Sequence, residues 1–145
     1  MTNLCSDLIR RLAGQTVCTA ESCTGGMIGA ALTAVSGSSK VYKGGIISYT
    51  NEVKHSVLGV PFSLLEKEGA VSAAVAEAMA MGVRKLLSTD YAVSVTGWQA
   101  PAAMNTGTRL ARYLSAMPMN TRRFQSIIFS PVTVRLFAYK QQRKL

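Results

Sequence analysis

The stretch Thr19-Ala20-Glu21-Ser22-Cys23-Thr24-Gly25-Gly26 constrains this chain most, because it reads as a strand end turning into a helix over hydroxyls and glycines. Val17 to Ala20 supply the last buried residues of the strand. Gly25 and Gly26 let backbone approach another group without Cβ interference. Met27 to Val35 continue as a small-residue helix, whose first N–H groups have no partner inside the helix and point at whatever fills the turn. Two readings fit this geometry. One is an anion site, with a phosphate held at the helix start. The other is an N-capped helix packed closely on a sheet.

The remaining pattern alternates strands with helices. Leu4, Leu8, Ile9 and Leu12 recur at helical spacing up to Gly14. Thr16 to Ala20 form the first strand, and Gly25 to Val35 the second helix. Val41 to Tyr49 read as a strand, apolar enough through Gly44-Gly45-Ile46-Ile47 to predict a place inside a sheet. Asn51 to Leu58 suit a short helix, Pro61 the next turn, and Ser63 to Glu68 a helical turn stopped by Gly69. Ser72 is an N-cap for an alanine-rich helix reaching Leu87. Tyr91 to Thr96 form a buried strand ending at a second hydroxyl-glycine turn. This alternation predicts an α/β layered sheet. Strand-like runs between Gln125 and Tyr139 match nothing that pairs with it.

With 145 residues and 48% hydrophobic content, the chain can build one domain with its own core. It shows no basic-then-apolar leader, and the apolar run after Gly25 is too short and hydroxyl-rich to span a bilayer. Cys5, Cys18 and Cys23 have no metal-ligand spacing, so reduced thiols in a cytoplasmic protein are expected, with Cys23 as packing. His55, the single histidine, has no acid or cysteine partner in sequence.

The net charge of +9 would suit nucleic acid, but its distribution does not. All seven acidic residues lie at or before Asp90, together with half of the basic ones, so residues 1–97 are close to neutral. Residues 98–145 hold the other half of the Lys and Arg and no acid. A basic nucleic-acid-binding protein would need that segment to be meaningful, and it lacks interleaved aromatics or a reader motif.

Motifs recur in order along the first two thirds: Ser36-Gly37-Ser38-Ser39, Gly44 to Lys54, Leu58-Gly59-Val60-Pro61, Gly69-Ala70-Val71-Ser72 and Val93 to Gly97. With the first turn, this set resembles the CinA C-terminal domain family from about Leu4 to Gly97. The resemblance implies a three-layer α/β/α domain. Characterised members are amidohydrolases that convert nicotinamide mononucleotide to nicotinate mononucleotide and ammonia, without metal or other cofactor. A non-catalytic relative that binds nucleotide is the alternative. The implied partner is a small-molecule nucleotide, with no nucleic acid or membrane, and a homo-oligomer is compatible.

The resemblance breaks where the charge changes. Relatives continue after the equivalent of Thr96-Gly97 with an apolar residue, Ala-Gly-Pro-Gly-Gly and a Gly-Thr-Val strand. This chain reads Trp98-Gln99-Ala100-Pro101-Ala102-Ala103-Met104-Asn105. Reading from the third base of the Trp98 codon gives alanine, then Ser or Gly, then sets containing Pro, Gly and Gly, before Met104 and Asn105 force a glutamate. Leu110 to Tyr113 in that frame permit Gly-Thr-Val. Residues 98–145 are therefore expected to come from a frameshift, leaving a domain incomplete at its C-terminus. The other account is a divergent but genuine segment.

By resemblance, the catalytic residues are Ser39, Tyr49 and Lys54. Ser39 attacks the carboxamide, and Tyr49 with Lys54 relays the proton, since a buried lysine can hold a neutral amine. Ser22 is a rival nucleophile, because a serine at a strand-to-helix turn can be well presented. Ser22, Thr24, Gly25 and Gly26 are expected to hold phosphate or ribose, with Thr96 and Gly97 at the same sheet edge. Glu21 and Asn51 either orient hydroxyls or bind ribose, or serve local capping and turns.

Overall fold

The computed structural model describes residues 2–97, 125–129 and 132–136. The chain opens with helix α1 (Thr2–Arg11), strand β1 (Val17–Glu21) and helix α2 (Met27–Thr33). A 3₁₀ turn (Ser38–Lys40) leads into β2 (Tyr42–Ile47), followed by α3 (Asn51–Ser56), α4 (Phe62–Glu68), α5 (Ala73–Leu87) and β3 (Tyr91–Val95). Two further strands, β4 (Gln125–Phe129) and β5 (Val132–Leu136), pair antiparallel with each other. They form a ribbon separate from the parallel sheet, whose order is β2-β1-β3.

The side-chain alternation of β1 divides the core into two layers. On one face, Val17 joins Cys5 and Ile9 of α1, Ile28 and Leu32 of α2, and Val93 and Val95 of β3. On the other, Cys18 and Ala20 meet Val75, Met79, Ala80 and Val83 of α5, with Leu58, Val60 and Leu65 closing the side. Helices thus cover both faces of the sheet, as the α/β/α expectation requires. Ser72 caps α5 as its position predicts, its hydroxyl accepting the Val75 N–H at 3.2 Å. A fully buried Ser94 hydroxyl donates to the Ala76 carbonyl at 2.6 Å and ties β3 to that helix.

One expectation fails. β2 is not interior: among the described residues it is an edge strand, as β3 is, with half-buried and exposed residues alternating. Gly44 and Gly45 make the run look uniformly apolar, yet they bury no side chain. The glycines have another purpose. The register slips between Val17↔Tyr42 and Cys18↔Gly44, so Lys43 is an extra residue, and Gly44 takes φ +125° at that bulge. Gly45 lies under Thr19, whose hydroxyl would overlap a Cβ there. The Tyr42 hydroxyl meets Thr19 Oγ1 at 2.8 Å, in a space that Gly29 and Gly45 leave open.

Candidate functional site

Where β1 ends, the chain buries a cation. Thr50 caps α3 by accepting the Val53 N–H, and one turn later Lys54 points inward, 2% exposed. Its Nζ donates to the Ser48 carbonyl at 2.8 Å, the Ser22 hydroxyl at 3.1 Å and the Tyr49 carbonyl at 3.3 Å. No described carboxylate lies within ion-pair distance of it. Burial pushes the Lys54 ammonium below its ordinary pKa, while the neighbouring Cys23 works the other way.

The partner types give this arrangement chemical content. A carbonyl only accepts, so Ser48 and Tyr49 each hold one N–H in either protonation state. The third direction faces a hydroxyl, which can accept from an ammonium or donate to an amine. Lys54 can therefore take the Ser22 proton and return it without losing a partner, as general acid–base chemistry requires.

The turn itself overturns one expectation. The helix start does hold an anion, but the anion is the protein's own. β1 alternation places Glu21 on the α2 face, 2% exposed. Its carboxylate accepts from Thr24 Oγ1 at 2.7 Å, and from the N–H groups of Gly29, Ile28 and Gly26 at 2.8, 3.0 and 3.1 Å. The Gly25 and Met27 N–H groups go to the Ser22 and Thr24 carbonyls. Every N–H from Gly25 to Gly29 except that of Gly26, Ile28 and Gly29 thus serves the turn, and those three serve Glu21. A phosphate cradle at Thr24-Gly25-Gly26 is corrected to an internal cap, because a buried carboxylate at the strand end reaches those donors first. Gly25 and Gly26 both have positive φ, +57° and +101°, which is what lets the chain fold back around the carboxylate.

The other candidate residues are spread over the rim and the wall. Ser39 is exposed on the 3₁₀ turn, and none of the described hydrogen bonds links it to Lys54. The Tyr49 side chain is 71% exposed, so its contact with Lys54 is through its carbonyl and not its phenol. The proton relay expected through that phenol is corrected accordingly: strand alternation turns Ser48 inward and Tyr49 outward. Asn51 is exposed at the start of α3. The Thr96 hydroxyl is buried and donates to the Ala70 carbonyl at 2.7 Å, and Gly97 follows it at the same edge. Burial pushes the Cys23 thiol up to about 11, which suits packing and not nucleophilic attack. Among the described residues, no group of His, Cys, Asp and Glu could hold a metal ion.

Sequence reading missed the direct Ser22–Lys54 contact, and for Glu21 it left local capping beside hydroxyl orientation and ribose binding. The alternation of β1 carried the first of these: counting inward positions from Val17 and Thr19 puts Glu21 on the helix side.

The comparisons agree with this architecture. The model of the CinA C-terminal domain matches residues 1–121, beyond the Gly97 limit of the motif resemblance. A CinA-like protein of Synechococcus sp. (strain CC9311) is 56% identical over 101 residues, covering 68% of this chain and 24% of its own. Another, from Synechococcus sp. (strain RCC307), is 58% identical over 91 residues, covering 63% and 22%. The chain thus spans less than a quarter of the length of these curated relatives. Among solved structures, a competence-damaged protein (CinA) superfamily protein from Escherichia coli superposes with a TM-score of 0.70 at 32% identity, over 79% of this chain and 74% of that one. The competence/damage inducible protein CihA from Agrobacterium tumefaciens gives a TM-score of 0.64 at 35% identity, over 77% and 78%.

Proposed function

Because the chain belongs to the CinA C-terminal domain family, we propose that its site is that of an amidohydrolase acting on nicotinamide mononucleotide, with Lys54 moving the proton. The observation that carries this reading is the buried Lys54 amine, held by two carbonyls and one hydroxyl. A serine hydroxyl adds to the carboxamide carbon, Lys54 accepts the proton, and the same proton leaves on ammonia. Water then hydrolyses the acyl-serine by the reverse route.

By family resemblance Ser39 is the attacking residue and Lys54 takes its proton, with Tyr49 meeting Lys54 through its carbonyl at the opening. A second assignment has Ser22 attack directly, and the 3.1 Å contact with Lys54 favours it. Thr96, Gly97 and Asn51 contribute to the nucleotide pocket at the same edge, while Thr24, Gly25 and Gly26 shape it through the turn.

The remainder of the chain bears on activity. We infer that residues 98–145 come from a shifted frame that lacks the loop and strand relatives place after Gly97, although the family model itself continues to residue 121. Supporting this, the curated relatives align over 87 to 101 residues in the examples with the highest identity, stopping well short of the full chain. Most of the segment lies outside the described residues. The encoded chain is then expected to be inactive, and a frame-restored chain active.

The test is ammonia release from nicotinamide mononucleotide by the frame-restored protein without added metal. Loss of turnover in Ser39→Ala, with Ser22→Ala merely slowed, supports the first assignment. Loss in Ser22→Ala alone supports the second. Tight nucleotide binding with no ammonia from the unsubstituted protein would replace the enzyme by a non-catalytic binder.

A further inference from the structure

We propose that Glu21 is a positioning residue for the Ser22–Lys54 pair, acting through the turn it closes and not by touching substrate. The inference rests on the amidase reading for its catalytic consequence, though its structural part stands without it.

Glu21 is bonded to both halves of the site. Its carboxylate collects Thr24, Gly26, Ile28 and Gly29. Its carbonyl accepts the Ser48 N–H at 2.7 Å, and the Ser48 carbonyl in turn receives Lys54 Nζ. Ser22 hangs between these anchors. Its own N–H goes to the Val95 carbonyl at 3.0 Å, and its carbonyl accepts the Gly25 N–H at 3.0 Å. Beyond it come two successive glycines in left-handed conformation, the segment of backbone with least intrinsic stiffness. Four bonds to one carboxylate hold that segment in place, so the direction of the Ser22 hydroxyl depends on a group one residue away that faces the opposite side of the sheet.

An uncharged isostere breaks this arrangement selectively. In Glu21→Gln one acceptor oxygen becomes an NH₂ donor, which meets backbone N–H groups head-on and leaves at least one without an acceptor. The turn opens, Ser22 moves off Lys54, and water replaces it at Nζ. The position also carries charge. The Cys23 thiol senses both Lys54 and Glu21, so the carboxylate lies within electrostatic range of the site. Positioning and charge make opposite predictions for Lys54. Loss of positioning hydrates the amine and raises its midpoint toward the ordinary lysine value. Loss of negative charge alone lowers it further.

The experiment is titration of the Lys54 side chain by ¹³Cε NMR in the full 145-residue chain, with and without Glu21→Gln. An upward shift is expected. A downward shift, or none, overturns the proposal. Thr24→Val removes one of the four donors and leaves the carboxylate on three amides, so it carries the same test should Glu21→Gln fail to fold. It is expected to shift the midpoint upward by less, and an unchanged midpoint there overturns the proposal too. In the frame-restored protein, Glu21→Gln should lower kcat at least tenfold. A rise in KM with kcat intact would place Glu21 in substrate binding and overturn it. Absence of ammonia from the unsubstituted restored protein would overturn the amidase reading alone, because the Lys54 titration needs no substrate.

Discussion

The two ends of the parallel sheet hold polar groups in opposite ways. Where the strands begin, Thr16 and Asp90 clasp each other. Asp90 Oδ2 accepts the Thr16 N–H at 2.8 Å and hydroxyl at 2.9 Å, while Thr16 Oγ1 accepts the Asp90 N–H at 3.0 Å. The Tyr91 N–H adds a bond to the Thr16 carbonyl, and its phenol one to Gln15. Each group there meets the partner that its charge and valence call for, and the result is a join between β1 and β3. Where the strands end, the Glu21 carboxylate collects four donors on one face, and on the other Lys54 gives its three bonds to neutral oxygens with no described carboxylate in ion-pair distance. A buried cation held only by neutral oxygens is a group whose protonation the site can change. The first end spends polar burial on connection, and the second keeps part of it available for proton transfer.

Substitutions at the two ends should therefore fail differently. Lys54→Met is expected to remove ammonia release by roughly 10³-fold or more in the frame-restored protein, since it deletes the acid–base group. Thr16→Val should leave kcat within a factor of two while costing about 1–3 kcal/mol of stability, measured by denaturant unfolding, because it strands the Asp90 N–H. A Thr16→Val protein that folds normally but loses turnover would erase the distinction between the two ends.

A smaller effect sharpens it. The folded pKa of Lys54 lies below the unfolded value of about 10.4, so between the two the unfolded chain binds more protons. Unfolding free energy should rise with pH across that window, reaching its full value above the unfolded pKa, and fall as pH drops through the folded one. Lys54→Met should flatten this slope. An unchanged slope would mean that Lys54 is not the group responsible.

Much of this fold was legible before any coordinates. Capping by Ser72, the stop at Gly69 and the buried run of β1 are local signals, and the elements they mark lie within a residue or two of expectation. The edge position of β2 was hidden because Gly44 and Gly45 read as apolar when they are small for steric reasons. The site was legible only as a set of residue types. Lys54 carried the right chemistry, but which hydroxyl it meets depends on how α3 docks against the turn, a contact 32 residues apart in sequence. The helix start was left open between a phosphate site and a capped helix on the sheet, and the Glu21 carboxylate makes it a capped one. That the anion was already in the chain followed from strand parity and not from the motif.

The hydroxyl of Tyr42 imposes an order on how this sequence can change. A Cβ at Gly29 would stand 2.7 Å from that oxygen, and its other neighbours, Glu21 Oε1 and Tyr42 Cζ, would be ordinary contacts at 3.5 and 3.6 Å. Alanine there should favour α2 by up to about 1 kcal/mol through helix propensity, but only once the hydroxyl is gone. Gly29→Ala is thus expected to destabilise the present chain and to stabilise one that already carries Tyr42→Phe. A double-mutant cycle on thermal unfolding measures that reversal of sign, and additive effects would disprove it. The order of the two changes then matters: the alanine is expected to be the less costly step once the phenylalanine is in place.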